Sequence, residues 1–234
     1  MITGASRGLG YTLAEFLARQ GWTLIITARD KTSLEEAAGK LRAAGSTVHA
    51  LAGDIANAQH RKRVAAVVKR LARLDLLVNN ASELGTSPLP PLLEYPLDVL
   101  RRVVEVNVVA PIALVQACLP TLKASRGLVV NITSDAARGG YPGWGGYGAS
   151  KAALELASKT MANELREAGV GVVAVDPGDL RTQMHQAAFP GQDISDRPLP
   201  NVTIPFWAWL EGQDPLRISG QRFEAQASVL EVPP

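Results

Sequence analysis

The chain predicts an α/β protein with a doubly wound, mainly parallel sheet, helices on both faces and a truncated first strand. Three observations carry this. Short apolar runs alternate with longer amphipathic ones through most of the sequence, the pattern of repeated βαβ units. Residues 22–28 (Trp-Thr-Leu-Ile-Ile-Thr-Ala) are continuously apolar at the centre, as in a strand covered on both faces. Glycines at positions 4, 8 and 10 stand directly before a helical run, where a tight turn lets a ligand approach the backbone.

In order, only Met1 and Ile2 precede the glycine loop, so the first strand is very short or begins upstream. A helix is expected to about Gln20, with Leu13, Ala14, Phe16 and Leu17 inward. Its first N–H groups would meet a diphosphate. The strand at 22–28 ends at Arg29. Sites selective for NAD place a carboxylate about 20 residues beyond the loop, on the ribose 2′-hydroxyl. Ala28 and Arg29 stand there, and Arg7 adds a second guanidinium, so NADP(H) is the expected preference. Asp30, one residue on, keeps NAD(H) as the other option.

A helix at 31–44, with Asp30 or Thr32 as its N-cap, leads to a strand at 47–52 and then Gly53-Asp54-Ile55. The basic amphipathic helix at 57–73 is expected to present its charges to solvent. A strand at 75–79 runs into Asn80-Ala81-Ser82, and the proline-rich stretch 82–96 reads as a loop. Residues 97–123 form a long helix containing Asn107 and Pro111. Proline cannot donate to the carbonyl four residues back, here that of Asn107. The helix should be disrupted there, either freeing that oxygen for water or a lysine or merely kinking.

A strand at 127–132 ends in Thr133-Ser134, where Ser134 serves as a functional hydroxyl or as a cap. After a glycine-rich loop, a helix at 147–168 opens with Tyr147-Gly148-Ala149-Ser150-Lys151. Residues four apart share a helix face, so Lys151 should lower the Tyr147 pKa towards neutrality and fit the phenol for proton transfer. A strand at 170–175 precedes Asp176-Pro177-Gly178. Residues 179–210 are expected to form a lid, irregular and proline-containing at first, with a short helix at 206–210. A last strand is expected within 216–224.

At 234 residues the chain is read as one domain. A net charge of +2 with dispersed cations gives no ground for nucleic-acid binding. A single cysteine, Cys118, rules out an intrachain disulfide and fits a reducing cytoplasm. No leader pattern opens the chain. The apolar stretch at 103–119 carries Glu105, Asn107 and Pro111, so no membrane span is expected. No metal site is expected.

Taken together, TGASRGLG at 3–10, GDI at 53–55, NNA at 79–81, Asn107, Ser134, Tyr147 with Lys151, and PGDLRT at 177–182 resemble the short-chain dehydrogenase/reductase family in order and spacing. The resemblance spans nearly the whole chain and implies a Rossmann-type fold. Gly4, Ser6, Arg7, Gly8, Leu9 and Gly10 would hold the diphosphate, with Arg29 near the 2′ position. Asp54 and Ile55 would flank the adenine, and Asn80 and Ala81 would line the cofactor channel. Pro177, Gly178 and Thr182 would hold the nicotinamide end. Asn107, Ser134, Tyr147 and Lys151 match the family's catalytic tetrad. In that scheme Ser134 binds the substrate carbonyl, Tyr147 gives the proton, Lys151 binds the nicotinamide ribose, and Asn107 anchors a relay water. A homodimer or homotetramer using the helices at 97–123 and 147–168 is also implied.

The sequence departs from the family pattern in its clipped first strand, in Ser82 where many members have glycine, in the lack of a glycine pair around 219–224, and in the segment 183–205. The activity expected is hydride transfer between a nicotinamide cofactor and a carbonyl or alcohol. A non-catalytic nucleotide-sensing or scaffold protein is the alternative. Epimerase or dehydratase chemistry is a third reading, disfavoured because only about 50 residues follow Pro177.

Overall fold

In a computed structural model describing residues 1–232, seven parallel strands form one sheet in the order β3-β2-β1-β4-β5-β6-β7. The first strand is two residues long, β1 (Ile2–Thr3). It suffices because Ile2 pairs with Ile26 on one side and Val78 on the other and is fully buried. α1 (Gly8–Arg19) follows, burying Leu13, Ala14 and Leu17 while Phe16 is half-buried.

β2 (Leu24–Ala28) is buried over its first four residues, as its apolar sequence demands. Asp30 caps α2 (Lys31–Ala43), its carboxylate accepting from the Ser33 N–H at 2.8 Å. After β3 (Val48–Ala52), Asn57 caps the basic α3 (Ala58–Leu71), which buries only His60, Val64 and Val68. β4 (Leu76–Asn79) is central in the sheet. The chain then leaves through the proline-rich stretch to α4 (Leu97–Val104).

The expected disruption near Pro111 takes a specific form. α4 and α5 (Ala110–Ser125) are joined by one π-helical turn, Glu105–Val109, just ahead of Pro111. The joined helix Leu97–Ser125 contains an 18-residue window of mean hydropathy 1.8 and is long and apolar enough to cross a membrane by length and composition. Here it packs on the sheet, burying Val103, Val106, Leu114, Cys118 and Leu122.

β5 (Leu128–Ile132) is buried throughout. α6 (Ala136–Gly139) is a single turn before α7 (Gly145–Leu165), which carries Tyr147 and Lys151. β6 (Gly171–Asp176) is followed by α8 (Gln183–Ala188), a 3-10 turn at Pro200–Thr203 and α9 (Ile204–Glu211), so the 179–210 segment is more ordered than its prolines suggest. The strand expected over 216–224 is shorter. α10 (Pro215–Ile218) comes first, with proline at its start and Asp214 as cap, and β7 (Arg222–Glu224) follows. The two main apolar clusters lie on opposite faces of the sheet. A third, around Leu84, Ala136 and Tyr147, lies beyond the strands' carboxyl ends.

Candidate active site

The sheet order reverses between β1 and β4, where a doubly wound sheet opens a crevice beyond its carboxyl ends. The structure has a cleft of about 1220 Å³ at this place. Gly4, Ser6, Arg7, Gly8, Leu9, Arg29, Asp54, Ile55, Asn80 and Ala81 line one part. Ser134, Tyr147, Lys151, Pro177, Gly178 and Thr182 line the other. Gly10 and Asn107 are the two singled-out residues that do not border it.

The glycine loop is built for close approach. Gly4 and Gly8 have left-handed backbones, φ +66° and +57°. A β-carbon at Gly4 would sit 2.9 Å from the Ala81 Cα, and one at Gly10 would sit 2.5 Å from the Gly4 carbonyl oxygen. Asn80 and Ala81 brace this loop. Their backbone N–H groups donate to Thr3 Oγ1 at 3.0 and 2.9 Å, and Asn80 Nδ2 donates to the Thr3 oxygen at 2.8 Å. α1 has no side-chain cap, so its first N–H groups remain available beside the cleft. Uncapped donors, a loop that presents glycine at positions 4, 8 and 10, and the cation Arg7 fit a dinucleotide diphosphate.

Arg29 lies where a 2′-phosphate partner is expected but is engaged. Its Nη1 is 3.1 Å from the Glu83 carboxylate. Arg29 follows β2 and Glu83 follows β4, with β1 between them, a separation of about 10 Å at ordinary strand spacing. The ion pair therefore bridges the end of β1. Asp54 is likewise paired, with Arg102 Nη2 at 2.6 Å. Burial would raise its carboxyl, but the Ala56 N–H and Arg102 outweigh this and hold it low. Asp30 caps α2 and also borders the cleft beside Arg29. Glu83 and Arg102 were not singled out by sequence, because a charge in a loop or on a helix carries no signal of its partner.

Asn107 is 1% exposed and fully engaged. Its Nδ2 donates to the Glu83 carbonyl and to Ser150 Oγ, both at 2.9 Å. Its Oδ1 accepts from the Glu83 N–H at 2.7 Å and from Ser82 Oγ at 3.2 Å. Ser82, the departure from glycine, is thus part of the site.

Tyr147 is buried, with the hydroxyls of Ser82 and Ser134 facing its phenol. Ser134 Oγ also donates to Asp135 Oδ1 at 2.9 Å and accepts from the Ala136 N–H at 3.2 Å. Lys151 Nζ lies 5.4 Å from the Tyr147 ring centroid and donates to the Ile132 carbonyl at 2.8 Å. Among the described residues the Asn107 side chain hydrogen-bonds to Ser82, Glu83 and Ser150, and not to Lys151. The surroundings of Tyr147 oppose the expected acid shift. Burial, reinforced by Asp176 and Asp135, drives the phenol upward, against the Ser82 and Ser134 hydrogen bonds. Burial also lowers Lys151 to about 7, so the cation expected to acidify the tyrosine is itself close to losing its charge.

A buried ion cluster supports this half of the cleft. Arg222, at the start of β7, binds Asp176 at 2.6 Å and Glu155 of α7 at 2.9 Å, with all three side chains at most 12% exposed. Glu155 also accepts from Thr133 Oγ1 at 2.8 Å. The cluster ties β6, β7 and α7 together one turn beyond Lys151. Sequence gave no sign of it, because its members are far apart in the chain.

The profile described as short chain dehydrogenase matches residues 1–193. The chain is 34% identical over 233 residues to an uncharacterized oxidoreductase, YciK, of Escherichia coli, covering 97% of this chain and 90% of that one. It is 34% identical to a serine 3-dehydrogenase of Rhizobium radiobacter over 84% of this chain and 78% of the relative. A short chain dehydrogenase crystal structure from Salmonella enterica superposes with a TM-score of 0.89 at 32% identity, covering 97% and 94% of the two chains. A structure of the same description from Escherichia coli, complexed with NADPH, gives 0.89 at 33% identity, covering 97% and 95%. With this coverage by profile, relatives and structures, the chain belongs to the short-chain dehydrogenase family.

Proposed function

We propose that this oxidoreductase prefers NADP(H) and interconverts a carbonyl and an alcohol, with Tyr147 as the proton-transferring group. The observation that carries the reading is the placement of Tyr147. Its phenol is flanked by the Ser82 and Ser134 hydroxyls on the wall of a cleft whose other end offers an uncapped helix and a glycine-rich loop. The NADPH bound to the Escherichia coli neighbour supports the cofactor choice. So do Arg7 and Arg29, which give a 2′-phosphate two cations.

The cofactor, when bound, supplies or accepts the hydride. Ser134 Oγ–H then hydrogen-bonds the substrate oxygen and polarises it. Tyr147, whose burial favours the neutral phenol, holds the proton that the nascent alkoxide takes. Lys151, whose Nζ lies 5.4 Å from the Tyr147 ring centroid, stabilises the phenolate left behind when it carries its charge. Asn107 holds the Glu83 backbone and Ser150 in register with this centre, and a relay water at its carbonyl belongs to the same proposal. Alcohol oxidation reverses each step. Residues 179–210 act as the lid over the substrate, with α8 as its ordered part. Self-association through the outer faces of α4 and α7 accompanies the reading, since Leu97 and Leu156 there are 63% and 68% exposed. The work is expected to take place in the cytoplasm.

Tyr147→Phe tests the assignment. NADPH oxidation over a panel of ketones should fall at least a thousandfold, while NADPH binding by calorimetry stays within about twofold. A Phe variant that turns over at the wild-type rate removes the proton-donor role. A wild-type protein that binds NADPH and reduces no carbonyl leaves the non-catalytic alternative standing.

A further inference from the structure

Beyond the tetrad, the substrate half of the cleft has a wall that neither the fold nor the proton chemistry requires. Four rings follow one another along it. Trp144 meets Tyr147 edge-on with centroids 5.8 Å apart, and Phe189 lies 6.0 Å from Trp144. His185 continues the row 5.1 Å from Phe189. Two rings come from the segment that opens α7 and two from α8 and the residue that ends it. All four border the cleft, and Met184 joins Trp144 in the third apolar cluster.

This cluster is separate from the two that flank the sheet, so it contributes little to holding the strands together. Trp144, Met184 and Phe189 are only half-buried. They sit on a loop and a six-residue helix, where aromatic surface left open to water has no structural return. The row also has a direction. It starts at Tyr147, where the reacting oxygen must sit, and runs away from it. Lys151 faces the first ring, Tyr147, with its Nζ 5.4 Å from the centroid; among the described residues no cation stacks on Trp144, Phe189 or His185, although the exposed Arg181 lines the same cleft.

We propose that the substrate is a ketone or secondary alcohol bearing an aromatic, or similarly flat apolar, ring beside the reacting carbon. The ring packs against Trp144 and Phe189 while the oxygen reaches Tyr147 and Ser134. This rests on the hydride-transfer reading above and adds its substrate class. Edge-to-face and offset contacts favour such a ring beyond its area alone. A short aliphatic ketone leaves the wall wet, and a 2-oxo acid or an amino acid would bring a charge to it.

The test compares kcat/KM for NADPH-dependent reduction of acetophenone, butanone and pyruvate, and for NADP-dependent oxidation of serine. Acetophenone should lead butanone by about tenfold or more and pyruvate and serine by further. Trp144→Ala and Phe189→Ala should each lower the acetophenone-to-butanone ratio about tenfold, mainly through KM. Preference for butanone, pyruvate or serine overturns the proposal, as does an unchanged ratio in both variants. Saturation-transfer NMR of acetophenone on the NADPH-bound protein reads the wall without turnover. A signal in wild type that is lost in Trp144→Ala supports it, and no signal in wild type, or one that survives the substitution, refutes it. Binding without reduction of any ketone would instead count against the hydride-transfer reading.

Discussion

Replacing Arg222 with methionine should destabilise the protein by an amount that depends on pH. Methionine keeps much of the buried stem volume, so the change isolates the charge. Arg222 binds Asp176 and Glu155 at 2.6 and 2.9 Å, and both carboxylates are 8–12% exposed. The third partner, Glu224 at 3.0 Å, is 69% exposed and contributes at most about 1 kcal/mol. Removing one member of a buried pair costs about 3–5 kcal/mol, because a buried charge is left unmatched. Glu155 keeps Thr133 and Arg138, and Asp176 keeps the Gly178 N–H, so the lower end, about 3 kcal/mol, is expected near pH 8.

Burial raises Asp176 above its unfolded value despite the Gly178 N–H and Arg222. For such an acid, stability is greatest at low pH and is lost as pH rises through the folded value. Loss of Arg222 removes an opposing influence and raises Asp176 further, so protonation relieves the variant as pH falls. Burial also pushes Glu155 upward, but its hydrogen bonds to Arg222 and Thr133 outweigh this and hold it low. Its stabilisation is present above the unfolded pKa and fades as pH falls through the folded one. Both effects make the deficit larger at pH 8 than at about pH 5. Urea unfolding at the two pH values measures it, and a melting-temperature loss of about 6–12 °C should accompany it at pH 8. A deficit below about 1 kcal/mol at pH 8, or one that grows on acidification, refutes the reasoning.

Lys151→Met should stabilise the cofactor-free protein near pH 6, with the gain gone by about pH 10. Burial lowers Lys151 from 10.5 to about 7, and between those values only the unfolded chain holds the extra proton, so wild-type stability rises with pH there. Chemical denaturation across pH tests this, and a gain that increases with pH contradicts it. Arg29→Ala should weaken NADPH about tenfold or more yet tighten NADH about two- to fivefold, because it opens the bridge to Glu83 over β1. Calorimetry on Arg29→Ala, Glu83→Gln and the double variant checks it, and NADH tightening by Glu83→Gln that persists without Arg29 rules the bridge out. Gly10→Ala should lose dinucleotide binding and about 1–3 kcal/mol of stability, since its β-carbon would meet the Gly4 carbonyl oxygen at 2.5 Å. A variant of undiminished affinity, measured by thermal shift with NADPH, would show that the loop yields.

Those outcomes follow from local rules the sequence displays unevenly. The strands were legible because βαβ units bury them on both faces, so residues 24–28 and 128–132 are apolar runs bounded by turns. Asp30 and Asn57 announce their helices, since a cap needs only its own neighbours. The last strand was drawn too long because Leu216 and Ile218 are apolar in a short helix as well as in a strand. The proximity of Tyr147, Lys151 and Ser134 was inferable from spacing and strand ends. Their protonation was not, because the i, i+4 rule sees one neighbour while burial depends on the whole fold. The pairs Arg29–Glu83, Asp54–Arg102 and Asp176–Arg222 join residues 46–54 positions apart, beyond the reach of any local pattern.

The single π turn at Glu105–Val109 means that the helix carries one residue more than an α-helix would need to span the same length. That surplus residue sets the rotational phase between the two halves. Deleting any one residue there would turn everything on one side by about 100° and swing the Asn107 amide away from Glu83 and Ser150. Natural variation in chain length should therefore be accepted in the stretch before Leu97 and rejected within this turn.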